Sequence, residues 1–266
     1  MNTQTRTLRG GFTLLELLVV LVILTILTVV AVHTVDGLQD QTRFEATQRG
    51  LREVEEAVLG PANVRQPDGS LLITGFVADM GRLPSNPSEL WLKPDDALVF
   101  KKRTVGTVEL FAGWRGPYLK MPVGGTLLDG WGKPFVITTT SWRVSSFGAD
   151  NVDDSISTTA NPYDADLSVE LGDRWRGAIT VNLFEIQGNT VVPINETATV
   201  KCYFLKSDGT VDSLDGTGGT TPQFITDVPI GLRVVQATRS TSPTTTAPVQ
   251  VVVPPNGTAT VNLVFR

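Results

Sequence analysis

The chain opens with a long apolar segment. Residues 12–32 are apolar over 21 positions, interrupted only by Thr13, Glu16, Thr25 and Thr28. At about 1.5 Å per residue, a helix of this length matches the hydrocarbon thickness of a bilayer. The pattern therefore predicts one membrane-spanning helix near the N-terminus.

A helical pattern continues beyond the apolar run, but it becomes amphipathic. Apolar residues recur at helical spacing among Gln, Arg and Glu, at Phe44, Leu51, Val54 and Val58. The Gly60-Pro61 pair then ends the helix, because proline lacks the amide donor and clashes with the preceding turn. We therefore expect one helix over residues 12–59, half of it in the membrane and half packed on a globular head.

The C-terminal part of the chain alternates apolar and polar residues. Five stretches show this period of two, namely "AITVNLFEI", "ATVKCYFLK", "GLRVVQATR", "PVQVVVPP" and "ATVNLVFR". Turn signals such as Asp215-Gly216 and Asn256-Gly257 lie between them. Short strands at such spacing predict an all-β sandwich, so the fold class of the whole chain is α+β.

Composition and charge exclude several classes of protein. The chain has 266 residues and a net charge of -5, and beyond Gly11 it holds 20 basic against 27 acidic residues. This acidic balance argues against binding to nucleic acid, and against a DNA-uptake role. Cys202 is the single cysteine, so an intramolecular disulfide cannot form.

The residues around the start of the apolar run point to a family. The leader carries Arg6 and Arg9, and its small pair Gly10-Gly11 precedes the apolar run, the reverse of an ordinary secretory signal. The stretch "GGFTLLELL" resembles the class III signal of type IV pilins and type II secretion pseudopilins. The resemblance implies that a prepilin peptidase cuts after Gly11 and methylates the new N-terminus at Phe12.

Glu16 is a carboxylate within the apolar run. A lone carboxylate in hydrocarbon costs several kcal/mol unless it has a partner. The resemblance implies that Glu16 neutralises the N-terminal amine of an adjacent subunit and so acts in assembly. In the alternative interpretation, Glu16 is a helix-start residue that the helix dipole favours and that reaches the lipid headgroups.

Four fragments in the middle of the chain indicate which members of this family the chain resembles most. They are "DMGRLPSNPSELWLKP", "GWRGPYLKMP", "DGWGKPFVIT" and "SSFGADN", and in this order they resemble the major pseudopilin of type II secretion. Their Gly, Pro and Trp residues favour turns fixed to a core, and Phe135 and Ile137 favour a strand. The resemblance implies a small α+β head with an antiparallel sheet.

An acidic loop follows the last of these fragments. Residues 148–168 lack apolar periodicity and concentrate several carboxylates, including Asp150, Asp153, Asp164 and Asp166. Composition alone favours a solvated loop with Asp and Asn as turn residues. Carboxylates are also ligands that Ca²⁺ prefers, and the pseudopilin resemblance implies a Ca²⁺ site there. By that matching Asp150, Asp164 and Asp166 are the main candidate ligands, and Asp153 is a further one.

The chain continues well beyond the end of a conventional pseudopilin. The stretch "FITDVPIGLRVVQA" with the final strand is similar to transthyretin-like and carboxypeptidase-regulatory-like modules, which have no single activity. The expected division is a leader (1–11), an assembly helix (12–59), a pseudopilin-like head (60–172) and a β-sandwich (173–266).

The resemblance implies a structural role without enzymatic activity. A phosphate-binding glycine loop, a paired-cysteine metal site and a serine nucleophile motif are absent from the sequence. A pseudopilus subunit would bind copies of itself, other pseudopilins, the prepilin peptidase and the inner-membrane assembly platform. It would reside in the bacterial inner membrane, in the lipid bilayer before assembly, with its head in the periplasm or on an extracellular filament. The alternative is a minor type IV pilin that displays its C-terminal sandwich for adhesion.

Overall fold

The computed structural model describes residues 13–61, 65, 74–95, 99–153, 161–206, 209–241 and 244–266, without the side chains of 30–37. A long N-terminal helix is followed by strands that form several sheets, most of them antiparallel. The α+β fold class is therefore confirmed.

Helix α1 (Leu14–Leu59) has 46 residues and runs as one element through the change from apolar to amphipathic sequence. Leu51, Val54 and Val58 are buried, which confirms the predicted stripe on the second half of the helix. The helix ends at Gly60, which has φ of +88° and donates its amide to the Glu56 carbonyl at 2.8 Å. A Cβ there would lie 1.6 Å from a backbone oxygen, so only glycine fits.

The head consists of short elements packed on the second half of α1. They are α2 (Phe76–Met80), 3₁₀ turns at Pro87–Leu90 and Val123–Gly125, the hairpin β1 (Lys101–Val105) and β2 (Val108–Ala112), and the strands β3 (Val136–Thr138), β4 (Arg143–Ser146) and β5 (Leu167–Glu170). Strands β3, β4 and β5 form one antiparallel sheet in that order. The strand predicted around Ile137 is thus confirmed. The head core combines α1 with Phe76, Leu90, Trp142 and Leu171.

The "DGWGKP" turn is held by hydrogen bonds within the head and by one partly buried bond to α1. The Asp129 carboxylate accepts from the Trp131 amide at 2.9 Å and from the Ser146 hydroxyl at 2.7 Å. The Gly130 amide donates to the hydroxyl of Thr47 on α1 at 2.9 Å. The turn therefore has the fixed position that its Gly and Trp residues indicated.

Two further sheets form the C-terminal part of the chain. Their strands are β6 (Arg176–Gln187), β7 (Thr190–Pro193), β8 (Ala198–Leu205), β9 (Val211–Asp215), β10 (Gln223–Pro229), β11 (Gly231–Arg239), β12 (Val249–Val253) and β13 (Thr258–Phe265). The outer sheet has the order β10-β6-β13, with β7 paired to the far end of β6, and the inner sheet has the order β12-β11-β8-β9. All pairs are antiparallel except β13 with β6. The five predicted strands are therefore confirmed.

The outer and inner sheets share one apolar core. Val181 and Leu183 of the outer sheet pack with Val200 and Val235 of the inner sheet, and all four side chains are fully buried. Burying such side chains contributes about 1.5–3 kcal/mol each, before the entropy cost of ordering the chain. This core is distinct from the core of the head.

The inner sheet is the one that joins the head. Hairpin strand β2 packs on β8 and β11 through Leu110, Leu205 and Val234, all of them buried. Helix α2 also contacts β11, where Gly231 has φ of +118° and a Cβ would lie 2.8 Å from the Ala78 Cα. The contact is close enough to exclude any side chain at Gly231.

Arg233 lies buried at this junction, with no exposed surface. Its guanidinium donates to the Pro229 carbonyl at 2.9 Å within the C-terminal part. It also donates across the junction, to the Ala78 carbonyl at 3.1 Å and the Val77 carbonyl at 3.3 Å, and it bonds the Ile230 carbonyl. Burial lowers the pKa of Arg233 to about 10, so the side chain stays charged at neutral pH.

Asp79 extends this polar connection into the head. Its carboxylate accepts from the Arg115 guanidinium and the Tyr118 hydroxyl, each at 3.0 Å, and its own carbonyl accepts from the Gly113 amide at 2.9 Å. Burial raises the pKa of Asp79 above its ordinary value, although Arg115 opposes this shift. Burial and the Asp79 charge together raise the pKa of Tyr118.

Replacing Arg233 tests how much its buried hydrogen bonds contribute to the stability of the chain. Arg233→Lys keeps the charge but cannot reach all of the carbonyls, so we expect it to lower the free energy of unfolding by about 2–4 kcal/mol. Arg143→Lys is the matched control, because Arg143 is an exposed arginine paired with Glu170, and a change below about 0.5 kcal/mol is expected there. Denaturant unfolding of the detergent-solubilised chain measures both, and equal stabilities would contradict the role of Arg233.

Labelling of Cys202 can show whether the core between the outer and inner sheets opens. Its side chain is fully buried and burial raises the pKa of the thiol to about 12, so the reactive thiolate is scarce and inaccessible. We expect no labelling by a maleimide at pH 7.5 until denaturant unfolds this core, and complete labelling afterwards. Rapid labelling of the native protein would show that the core opens.

Candidate assembly site and acidic loop

The proposed processing site precedes the part of the chain that the structure describes. Gly11 and Phe12 lie outside the described residues, so the cleavage and methylation prediction rests on sequence. The first described residue is Thr13, which has an extended backbone (φ -76°, ψ 151°) and is the N-cap of α1. The helix therefore begins two residues after the predicted cut, next to the new N-terminus.

Glu16 forms a capping box with Thr13. The Glu16 amide donates to the Thr13 hydroxyl oxygen at 3.2 Å. In return, Glu16 Oε2 accepts from the Thr13 amide at 3.2 Å and from its hydroxyl at 3.4 Å. A carboxylate in the first turn also interacts favourably with the helix dipole. In the single chain, Glu16 thus occupies the position that the helix-start interpretation describes, and its pairing with a neighbouring subunit stays a prediction.

Thr13 is the functional neighbour that the sequence interpretation missed. It counted Thr13 only as an interruption of the apolar run. The signal was present, because "TLLE" has the Thr-x-x-Glu spacing of a capping box immediately before an apolar run. This spacing predicts the reciprocal bonds that the structure contains.

The first half of α1 exposes its apolar surface in the single chain. Its Leu, Val and Ile side chains from Leu14 to Val29 are between 47% and 85% exposed. A contiguous apolar surface of this size marks contact with lipid or with another protein. Among the residues with described side chains, which include 13–29 of the apolar run, no helix is long and apolar enough to cross a bilayer.

The acidic loop brings two short segments of backbone together. The Ala149 amide donates to the Tyr163 carbonyl at 2.9 Å. Gly148 has φ of +63°, and a Cβ there would lie 2.4 Å from the Asp164 carbonyl oxygen. The start of the loop is therefore held against its end, as a site closed by both ends requires.

The candidate calcium ligands have different surroundings. Asp150 is exposed and accepts from the Val152 amide at 3.1 Å, and Asp164 is half-buried and accepts from the Asn161 side chain at 3.1 Å. Asp153 is exposed, and Asp166 is half-buried just before β5. Within the described ranges no three acidic, His or Cys side chains are grouped closely enough to hold a metal ion. The loop residues 154–160 lie outside those ranges, so the calcium site stays a prediction.

Aromatic rings connect the acidic loop to α1. Phe44 of the helix makes edge contacts with Tyr163 of the loop at 5.9 Å and with Trp131 of the "DGWGKP" turn at 6.5 Å between ring centroids. Such pairs add about 0.5–1.5 kcal/mol beyond the burial of their surface. The position of the loop is thereby coupled to the second half of α1.

Comparison with known families confirms part of the sequence interpretation. Residues 6–32 match the model of the prokaryotic N-terminal methylation motif. Comparison with curated proteins and with solved structures gives no match. The matched residues include the predicted cleavage position, the capping box and the whole apolar run. This motif marks the chain as a type IV pilin-like or pseudopilin precursor that is processed at its N-terminus.

Proposed function

We propose that the chain is a structural subunit of a type II secretion pseudopilus or a related type IV pilus-like filament. The observation that supports the proposal is the exposed apolar first half of α1, residues 14–29, which we call the stem. The stem lies within the methylation motif and bears a carboxylate in its first turn. The stem resides in the inner membrane before assembly. In the filament it packs on the stems of neighbouring subunits, which include copies of itself and other pseudopilins.

The capping box supports a specific role for Glu16. Both bonds from Thr13 go to Oε2, and among the described residues no donor reaches Oε1. The free oxygen can accept from the amine of an adjacent subunit while Thr13 holds the side chain in place. Among the packed apolar helices of a filament, a buried carboxylate is tolerated only when a positively charged group pairs with it. Glu16 would thus favour the assembled state over the isolated subunit.

The alternative is a minor type IV pilin that displays its C-terminal part for adhesion. This alternative is supported by the contact between the inner sheet and the head, where Arg233 and the β2 side chains fix the additional domain in place. A fixed domain would be carried on the filament surface in one orientation. Filaments sheared mechanically from cells test this alternative, since abundance there would indicate a pilus and retention with membranes a periplasmic pseudopilus.

Substitutions of Glu16 separate its charge from its capping bond. Glu16→Leu removes both, and Glu16→Gln keeps an acceptor for the Thr13 amide but removes the charge. If charge pairing drives assembly, both variants should be cleaved normally yet enter filaments at least about tenfold less well than the wild type. Cross-linking of cell envelopes measures the incorporation, and the size shift on cleavage measures processing.

The control for this experiment is Thr25→Leu, which replaces a polar residue of the same apolar run. It should assemble normally, since the Thr25 hydroxyl bonds only within its own helix, to the Val22 carbonyl at 2.8 Å. Normal incorporation of Glu16→Gln would leave capping as the sole role of Glu16. Normal incorporation of Glu16→Leu would contradict the assembly role altogether.

We also propose that the acidic loop binds Ca²⁺, with Asp150 and Asp164 among its ligands. The backbone contact between Ala149 and Tyr163 supports this, because both carboxylates lie next to that contact at the base of the loop.

We expect Ca²⁺ to raise the melting temperature of the chelator-treated protein. We also expect it to change the fluorescence of Trp131, because the Trp131 ring contacts Phe44, and Phe44 also contacts Tyr163 of the loop. Asp150→Asn should abolish both responses, and Asp173→Asn, outside the loop, should leave them intact. A melting curve that Ca²⁺ leaves unchanged would contradict the proposed Ca²⁺ site.

A further inference from the structure

The outer sheet has a face that turns away from the head. The head packs on β8 and β11 of the inner sheet, and the side chains of β6 that point away from the shared core therefore face solvent. In β6 and β13 these outward residues lie side by side in parallel register, Thr180 beside Thr260 and Asn182 beside Asn262. The two strands thus present matched rows of polar side chains.

The rows have a regular spacing. Neighbours across the strands are about 4.8 Å apart, and outward residues along a strand are about 6.6 Å apart. The Asn182 Nδ2 donates to Asn262 Oδ1 at 2.9 Å, which holds the two amides next to each other. Each amide carries donors and acceptors in addition to those used in this bond. The result is a preorganised array of hydroxyl and amide groups.

Aromatic side chains border the array. Phe184 follows Asn182 along β6 and lies beside Val264, and Phe224 of β10 lies opposite Thr180. Phe224 is 49% exposed, an unusual position for a large apolar ring. Polar groups flanked by the exposed ring of Phe224 and the half-buried ring of Phe184 suit a ligand that has both hydroxyl groups and apolar C–H faces.

The charge and area of this face indicate which class of molecule it can bind. The outward residues of β6, β13 and β10 between Thr180 and Phe184 are uncharged, although the whole chain carries a net charge of -5. Over these five residues the face is at most three strands wide, roughly 240 Å². Stable protein interfaces need about 800 Å² from each partner. A narrow, neutral, polyhydroxylated chain fits this face better than a folded protein or a charged polymer.

We propose that the outer-sheet face binds neutral polysaccharide, with the Asn182-Asn262 pair hydrogen-bonding to sugar hydroxyls and Phe184 and Phe224 contacting the ring faces. Planar, prealigned groups lose little entropy on binding, and repetition along a polymer adds sites by multivalency. The proposal applies to either type of filament and does not depend on the assembly mechanism.

Depletion binding to insoluble polysaccharide tests the proposal. The full chain, in a zwitterionic detergent without a sugar headgroup, is mixed with microcrystalline cellulose or with chitin, and unbound protein is measured. We expect saturable binding to at least one of the two. Asn262→Asp has nearly the same shape but replaces an amide donor by a charge, and it should weaken binding about tenfold. Phe224→Ala should weaken binding similarly.

The matched control is Gln250→Glu, which makes the same change of amide to carboxylate at an exposed position of the inner-sheet strand β12. It should bind like the wild type, and equal melting temperatures should show that all variants are folded. Absence of binding to both polysaccharides, or equal losses in Asn262→Asp and Gln250→Glu, would overturn the proposal. Self-association in light scattering that Asn262→Asp abolishes would assign the face to a second copy and also overturn it.

Discussion

The buried guanidinium of Arg233 is the constraint on which the arrangement of the two β-rich parts depends. A charge without exposed surface must satisfy its donors, and here the acceptors are backbone carbonyls from both sides of the junction. The carbonyls of Val77 and Ala78 point toward it from the last turn of α2. Moving the C-terminal part away would break both bonds across the junction and leave the buried guanidinium with only the carbonyls of its own part, so these bonds favour one relative position.

Several features of the head follow from this constraint. Asp79 comes next to those carbonyls in α2, and it fixes Arg115 and Tyr118 through its carboxylate. Helix α2 also packs on α1 through apolar side chains. The position of the inner sheet relative to α1 is therefore set by the polar contacts of Arg233 and Asp79 at α2, together with the apolar packing of α2 on α1.

The elements that could be predicted from the sequence are those with a repeated local pattern. The apolar run, the amphipathic stripe and the Gly60 stop define α1, and alternation defines strands such as β6 and β13. Strand β1, which begins Lys-Lys-Arg, lacks such a pattern because its partners are β2 and solvent. Arg233 could not be predicted as buried, since two of its acceptors, Val77 and Ala78, lie more than 150 residues away in sequence.

The candidate site shows the same division between local and distant interactions. The Thr13-Glu16 capping box is local, and its spacing alone is sufficient to predict it. The acidic loop is closed by backbone contacts between residues about 15 apart, and its carboxylates gain a metal site only if the intervening residues bring further oxygen atoms to them. We propose that the partner of Glu16 in a filament belongs to another chain. Among the described residues the Thr13 donors reach only Oε2, so the capping bonds at the helix start are compatible with the proposed pairing in assembly.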